Sequence, residues 1–290
     1  MKRLMAEVNI SEGKDKTLIN EVREALLKND VEVIDIDSEP NHNRTVFTYI
    51  GDPQNVLQGT KDLAAKAVEL IDMTKHTGSH PRMGAVDVVP FIPVKDITTE
   101  EAVEIAKEFG KYLGSLGVPV YYYEDATDNP DRKSLVKIRK GQYEAFEEKM
   151  KHEEWKPDEG PFEFVPKSGA TVTGVRFPLV AFNVNLITEN IDICKKIVQA
   201  IRGATGGYKY VRAIALPLEE EKMIQISMNL VNYEKTPIHR VFETIKSEAR
   251  AYGISVAGTE LVGPVPLMAL EDVLDHYLQT HNFSMEQIYL

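Results

Sequence analysis

The chain has 290 residues, 43% hydrophobic and 27% charged, which argues against a disordered polypeptide and gives room for one large domain or two compact ones. Its net charge of −11 argues against a nucleic-acid-binding protein, because such proteins usually present a basic face. This charge would repel an anionic substrate, so a site for one needs a local cluster of Lys, Arg and backbone N–H groups.

The first half of the chain alternates short β-like runs with longer amphipathic segments. Residues 14–27 carry Leu18, Ile19 and Val22 on one helical face, whereas residues 31–37 alternate as a strand requires. The predicted order is a strand over 4–10, a helix over 14–27, strands over 31–37 and 45–50, a helix over 56–73, a strand over 85–94, a helix over 98–116 and a strand over 118–123.

The same order begins again after a polar segment, residues 149–168, which we expect to connect the two halves. The second half is predicted to contain a strand over 179–186, a helix over 191–201, strands over 208–215 and 223–230, a helix over 237–252, a strand over 254–261, and helices over 266–277 and from 284 onward. A β-α-β-β-α-β order is the ferredoxin-like arrangement. We therefore predict an α/β (α+β) fold of two such subdomains, residues 1–170 and 171–290, with helices on the outer faces of the sheets.

Signals of secretion or membrane insertion are missing from the sequence. The single cysteine, Cys194, cannot form an internal disulfide, and it falls on an apolar helical face that favours a core position over a nucleophile. The N-terminus lacks the apolar run of a signal peptide, and no apolar stretch reaches the roughly 18 residues of a membrane span. We expect a cytoplasmic protein that contacts neither nucleic acid nor membrane.

The densest run of unusual residues covers 74–87, a loop between a helix and a strand. It contains His80, the side-chain type best suited to proton transfer near neutral pH, followed by Pro81, which keeps His80 out of the helical region. Arg82 offers a planar fork for a carboxylate. A surface loop with solvated histidines remains the alternative interpretation.

A metal site in this loop is disfavoured. His76 and His80 stand four residues apart, a spacing that places both imidazoles on one side only in a helix. Gly78 and Pro81 interrupt any helix there, so we expect no metal.

Three further clusters carry candidate ligands, each with a structural alternative. Asn9, Ser11 and Glu12 end the first strand, where exposed N–H groups could attract an anion or serve as plain helix capping. Asp37 precedes a polar turn that leads to Arg44, and its carboxylate could orient an imidazole. The aromatic, small and polar residues of 160–171 suit a flat heteroaromatic ligand, or form an ordinary linker.

Several of these motifs resemble the formiminotransferase family. They are Val8-Asn9-Ile10-Ser11-Glu12-Gly13, Asn43-Arg44-Thr45-Val46, the run from His80 to Pro93, residues 160–171, and Ala181-Phe182-Asn183-Val184-Asn185-Leu186. The resemblance runs to about residue 270. It implies two α/β subdomains, a dimer, and transfer of the formimino group of N-formimino-L-glutamate to N5 of tetrahydrofolate, with release of L-glutamate in histidine degradation.

The resemblance and the clusters described above together predict roles for particular residues. His80 is the expected catalytic acid–base group, and Asp37 is expected to orient it or tune its pKa. The residues expected to bind substrate or folate are Asn9, Ser11, Glu12, Asn43, Arg44, Arg82, Met83, Gly84, Gly160, Pro161, Phe162, Glu163, Phe164, Val165, Pro166, Lys167, Ser168, Gly169, Ala170, Thr171, Asn183 and Asn185. Tetrahydrofolate, with or without a polyglutamate tail, is the expected co-substrate.

The sequence leaves other functions open. Formyl transfer between 5-formyltetrahydrofolate and glutamate, serving folate salvage, differs from formimino transfer only by O against NH. A non-catalytic folate-binding protein and an interaction scaffold are further alternatives. Because the chain ends at Leu290, we expect a separate cyclodeaminase to process the product.

Overall fold

A computed structural model describes residues 1–281 and 283–288, and the chain divides into two compact units, Met1–Arg176 and Phe177–Leu290. None of the helices among the described residues combines the length and apolar character that a membrane span requires. Each unit is built on one β-sheet with its own hydrophobic core.

The first unit contains a six-stranded sheet. Its elements are β1 (Arg3–Ile10), α1 (Lys16–Leu26), β2 (Val31–Glu39), β3 (Arg44–Gly51), α2 (Pro53–Leu70), β4 (Val86–Lys95), α3 (Thr99–Ser115), β5 (Val120–Glu124), α4 (Leu135–Arg139), α5 (Phe146–Lys149) and β6 (Thr171–Val175). The strand order is β2-β3-β1-β4-β6-β5. The first four strands pair antiparallel in the split βαβ order, and β6 and β5 extend the sheet in parallel from β4.

Local sequence explains where the main helices of this unit begin. Asp15 caps α1 by accepting from the amides of Thr17 and Leu18, and Asp52 caps α2 just before a proline in its first turn. Thr98 and Glu101 form a capping box at the start of α3. The apolar faces of these helices pack on the sheet in one continuous core.

The opposite face of β4, β6 and β5 is covered by the polar segment between β5 and β6. Tyr121 and Phe146 meet edge to face at 5.8 Å in a second core that also includes Val172 of β6. Residues 149–168, expected to link the two halves, are therefore part of the first unit. The division between units falls after Arg176, six residues beyond the boundary expected from the sequence, because residues 171–175 form a strand between β4 and β5.

The second unit has a four-stranded antiparallel sheet in the order β10-β7-β9-β8. Its elements are β7 (Val180–Leu186), α6 (Ile191–Ile201), β8 (Val211–Leu218), β9 (Met223–Leu230), α7 (Ile238–Ala251), β10 (Val256–Val262) and α8 (Leu267–Leu278). Cys194 is buried in the core of this unit. Where a last helix was expected from 284, residues 285–287 form a single 3-10 turn, and 289–290 lie outside the described residues. The predicted pair of βαββαβ subdomains is confirmed.

Candidate functional site

The candidate site forms where one end of β1 meets the beginnings of β3 and β4. Ile10, the last residue of β1, pairs with Thr45 of β3 and with Val86 of β4. Because β3 and β4 both run antiparallel to β1, the segments that precede them lie at the end of the sheet where β1 finishes. Side chains from these segments line a narrow cleft there: Ser11, His42, Asn43, Arg44, His76, His80, Arg82 and Asp87.

His80 is held as a neutral imidazole at the centre of this cleft. Arg44 donates from Nη1 to His80 Nε2 over 2.8 Å, and because a guanidinium only donates, the ring proton belongs on Nδ1. Burial, and then the charges of Arg44, Arg139 and His42, lower the pKa of His80 to about 3, while a hydrogen bond to the backbone of Pro81 acts in the opposite direction. The ring is therefore uncharged near neutral pH and has a lone pair on Nε2.

Asp37 acts on Arg44 instead of directly on His80. It is exposed on β2, opposite Val46 of β3, and no hydrogen bond joins it to His80 in the described part of the chain. Burial lowers the pKa of Arg44 below its ordinary value, and the negative charge of Asp37 partly opposes that shift. Within residues 1–281 and 283–288, the two predicted catalytic residues are linked through the charge of Arg44.

Arg82 is engaged within the protein by a carboxylate from a later segment. Its two Nη atoms donate to Glu144 at 2.9 and 2.6 Å, and its guanidinium lies 5.9 Å from the centre of the Tyr143 ring. Its Nε donates to His76 Nδ1 at 3.2 Å, and His76 Nε2 donates to the carbonyl of Asn43 at 2.9 Å. Arg82 therefore anchors the loop, and its fork is already occupied.

His76 is not available as a metal ligand in this conformation. Both ring nitrogens of His76 are occupied by protein groups. Among residues 1–281 and 283–288, no group of three or more His, Cys, Asp or Glu side chains is placed to hold a metal ion.

Asn43 occupies a backbone position in the left-handed region. It has a positive φ of 52°, accepts from the Gly13 amide at 2.9 Å and donates to the Thr77 carbonyl at 2.9 Å. Asparagine tolerates this left-handed conformation better than most residues. The side chain ties the β1 end, the turn before β3 and the loop of His80 together.

Arg139 is a member of the site that the sequence did not reveal. It is the last residue of α4 and, itself half-buried, forms an ion pair with the buried Asp87, whose other carboxylate oxygen accepts from the Met83 amide at 2.8 Å. Its charge contributes to the low pKa of His80. The only signal in the sequence was the basic run 132–140, which lies about 60 positions from the histidine loop.

The last four residues of the predicted folate stretch, 168–171, are attached to the loop of His80. Gly84 and Gly169 form an isolated antiparallel bridge, and the Ala85 amide donates to the Ser168 carbonyl at 2.8 Å. These four residues are all buried: Ser168, Gly169, Ala170 and Thr171. Two sequence clusters that stand about 85 positions apart are thus joined through their backbones.

Most of residues 160–167, the rest of that stretch, lie elsewhere in the first unit. Gly160 is packed against the backbone of Val118 before β5, and Phe164 packs against Tyr143 at 5.5 Å and Phe146 at 6.2 Å. The other members are half-buried or exposed: Pro161, Phe162, Glu163, Val165, Pro166 and Lys167. Residues 168–171 are joined directly to the histidine loop, and the Lys167 carbonyl accepts from the Met73 amide just before that loop.

The cluster at the end of β1 uses its polar groups for structure. Ser11 Oγ donates to the Gly84 carbonyl at 2.8 Å, and the Glu12 carboxylate accepts from the amides of Lys14 and Asp15 at 2.7 and 2.9 Å. Asn9 makes a long hydrogen bond of 3.3 Å within β1. The contacts are internal to the protein, but the cap of α1 is Asp15 and not a member of this cluster, so the capping role expected here falls on a neighbouring residue.

Asn183 and Asn185 lie in the second unit, on the face of β7 opposite its hydrophobic core. Asn183 donates to Glu260 on β10 at 3.0 Å, and Asn185 accepts from Gln225 on β9 at 3.0 Å. Both amides therefore cross-link neighbouring strands.

The arrangement around His80 suits proton transfer next to an anion. A neutral imidazole can accept a proton, and Arg44 and Arg139 supply positive charge beside it. Only about 160 Å³ of the cleft is empty, against roughly 300–1,000 Å³ in small-molecule sites, so side chains must move to admit a ligand.

Two family profiles match the chain. The profile described as "Formiminotransferase domain, N-terminal subdomain" matches residues 3–176, and that described as "Formiminotransferase domain" matches residues 181–288. These matches coincide with the two structural units.

Curated relatives agree with these profiles. The chain is 50% identical to a glutamate formimidoyltransferase of Streptococcus pyogenes, with 95% of this chain and 93% of that protein covered. It is 45% identical to a glutamate formimidoyltransferase of Thermoplasma acidophilum, with 95% and 92% covered. It is 43% identical to a formimidoyltransferase-cyclodeaminase of Dictyostelium discoideum. That alignment covers 94% of this chain and 52% of the relative.

Proposed function

Since this chain belongs to the formiminotransferase domain family, we propose that it is a folate-dependent one-carbon transferase. It moves the formimino group of N-formimino-L-glutamate to N5 of tetrahydrofolate and releases L-glutamate. Relatives named glutamate formimidoyltransferase, 45–50% identical over nearly the whole chain, support this reaction.

The reaction needs one proton to move between two nitrogens. N5 of tetrahydrofolate attacks the formimino carbon and forms a tetrahedral intermediate. The C–N bond to glutamate then breaks as its electron pair goes to the glutamate nitrogen. N5 loses one proton and the departing amine gains one. The formimino group ends bonded to N5 with its own nitrogen unchanged.

His80 is our candidate for the group that carries this proton. The observation that supports it is the neutral imidazole, whose Nε2 is an acceptor and accepts from Arg44 in the free protein, inside a cleft bordered by two arginines. Nε2 takes the proton from N5 and returns it to the glutamate nitrogen. Arg44 is the candidate ligand for a substrate carboxylate, and residues 168–171 support the loop against which the folate would lie.

The test follows release of L-glutamate from N-formimino-L-glutamate and tetrahydrofolate. We expect His80→Ala to lower kcat about 10²–10⁴-fold, the usual worth of general acid–base catalysis. His152→Ala is the matched control, because His152 is an exposed histidine of the same unit. Near-normal turnover by His80→Ala would contradict the assigned role.

The assay also separates the rival functions. If the parent protein released no glutamate but transferred a formyl group from 5-formyltetrahydrofolate to glutamate, folate salvage would replace the proposed reaction. Folate binding without turnover of either donor would indicate a binding protein.

The wider setting is part of the proposal. We place the enzyme in the cytoplasm. We also expect a homodimer, which rests on the family resemblance and which sedimentation analysis can test. The Dictyostelium relative's name joins formimidoyltransferase to cyclodeaminase, and the present chain spans about half of it. A cyclodeaminase is accordingly the expected consumer of the 5-formiminotetrahydrofolate product.

A further inference from the structure

The acceptor nitrogen of His80 is occupied in the free protein. Arg44 donates to Nε2 over 2.8 Å, while the other ring nitrogen carries the proton. A lone pair that accepts from a guanidinium cannot accept a substrate proton at the same time. The group proposed as the acid–base centre is thus blocked until Arg44 moves.

Arg44 has the properties of a group that can change partners. Its Nε is buried without a hydrogen-bond partner in the described part of the chain, and the same holds for Arg139 Nε. Nearby negative charges are Asp37, Glu39 and Asp87, but none of them forms an ion pair with Arg44 among the described residues. A planar guanidinium with an unused donor is suited to bidentate capture of a carboxylate.

Both substrates of the proposed reaction carry two carboxylates or more, but only those of the donor lie close to the reacting atoms. A carboxylate that entered the cleft would find Arg44 with Arg139 and His42 beside it, all within the group of charges that acts on His80. Capture of the anion would give Arg44 an ionic partner in place of a neutral one, which is the stronger hydrogen bond.

We propose that Arg44 is a latch on His80: it blocks Nε2 in the free protein and is drawn away by a carboxylate of the formimino donor. This inference rests on the proposed function, because it takes His80 as the acid–base centre. Proton transfer then becomes possible only after an anionic donor has bound. A donor without a carboxylate, such as formamidine, would leave the latch closed and react slowly even at high concentration.

The latch changes the basicity of His80 as well as its access. In the free protein, burial and the charges of Arg44, Arg139 and His42 hold the pKa of His80 at about 3, too low for an efficient base near neutral pH. An anion on Arg44 cancels one of these charges and removes the hydrogen bond to Nε2. Both effects raise the proton affinity of the ring when substrate is present.

The test is ¹⁵N NMR of the histidine rings in the whole protein, with His80 identified by its loss in His80→Gln and with L-glutamate as the probe. In the free parent we expect His80 to remain in the neutral Nδ1–H form down to at least about pH 5. Saturating L-glutamate should shift the Nε2 resonance and raise the titration midpoint by about 1–3 pH units, the range produced by one neighbouring charge.

Variants of Arg44 separate its charge from its shape. Arg44→Gln should raise the midpoint without ligand and abolish the response to glutamate. Arg44→Lys should keep the midpoint low but weaken glutamate binding, because an ammonium lacks the planar fork. Arg23→Gln, which removes an exposed arginine on α1, is the control and should behave as the parent does.

The latch would be overturned if Arg44→Gln and parent had the same His80 midpoint, or if L-glutamate left the His80 resonances unchanged. Its failure is distinguishable from failure of the proposed function. Normal formimino transfer that depends on His80, with an unresponsive His80 midpoint, removes only the latch. A responsive midpoint in a protein that does not transfer formimino groups removes only the proposed reaction.

Discussion

His80 binds a proton more weakly in the folded chain than in the unfolded one. Its folded pKa is about 3, against roughly 6.5 for a solvated histidine. As the pH falls below about 6.5, the unfolded state takes up the proton first, so folding stability is lost between that pH and the folded pKa. We therefore expect the parent to lose more free energy of unfolding than His80→Gln between about pH 7 and pH 5.

Urea unfolding at the two pH values measures this difference. His152→Gln serves as the control, since it removes an exposed histidine and should retain the parent's pH dependence. Equal losses in parent and His80→Gln would mean that His80 is not held neutral by the fold.

The second residue-scale prediction concerns the fork of Arg82. Arg82 is buried, with only 8% of its side chain exposed, whereas Glu144 is 63% exposed. Arg82→Lys loses the paired hydrogen bonds to Glu144 and the contact with His76, so we expect about 1–3 kcal/mol less free energy of unfolding. Glu144→Gln keeps the arginine and should cost about 0–1 kcal/mol, as is typical of exposed pairs.

Urea unfolding of both variants near neutral pH tests this ranking. If Arg82→Lys cost no more than Glu144→Gln, the guanidinium geometry would not matter to the loop. Arg82 would then be free to serve a ligand, as the sequence first indicated.

At the scale of elements, the bridge between Gly84 and Gly169 joins the loop of His80 to the segment before β6. Gly169 has a φ of +62°, and a Cβ there would lie 2.2 Å from the Met83 carbonyl oxygen. Gly117 has a φ of +83° but open space around it. Gly117→Ala should therefore cost only the backbone strain, about 1–2 kcal/mol, and Gly169→Ala about 1–3 kcal/mol more because the bridge must shift as well.

Urea unfolding and turnover measured together check this prediction. We also expect Gly169→Ala, and not Gly117→Ala, to lower kcat, because a shift at Met83 moves the loop that holds His80. Equal effects of the two substitutions would show that the bridge does not position the loop.

The elements that the sequence predicted are those whose patterns are local. The repeated βαββαβ order follows from amphipathic helices and alternating strands, and the structure confirms it. Strand β6 was missed because its five residues, Thr171–Val175, follow an irregular stretch. Its partners in the sheet, β4 and β5, are also distant in sequence. Its β-branched residues were a usable signal.

The candidate site was likewise predictable from the sequence where its residues are close together in the chain. The loop of His80 was found because its residue types are unusual within one short run. Arg139 and Glu144 were missed because they reach the site from α4 and the turn after it, and tertiary contacts of this kind leave no mark in the local pattern. The ligand roles of Asn183 and Asn185 remain predictions.

At the scale of the whole molecule, the residues predicted as site residues are divided between the two units. All residues that line the cleft of His80 belong to the first unit, which also has its own hydrophobic core. The expected ligands Asn183 and Asn185 belong to the second. A fragment of residues 1–176 is large enough for an independent domain, since domains typically contain about 50–250 residues.

We expect the 1–176 fragment to unfold in one cooperative urea transition and to retain the His80 ring resonances of the whole chain. Its formimino transfer should fall strongly, because the expected ligands of the second unit are missing. Asn183→Ala in the whole chain, with Gln54→Ala as an exposed amide control in the first unit, separates loss of one ligand from loss of the unit. Full turnover by the fragment would remove Asn183 and Asn185 from the proposed site, and a fragment without a cooperative transition would show that the first core does not suffice alone.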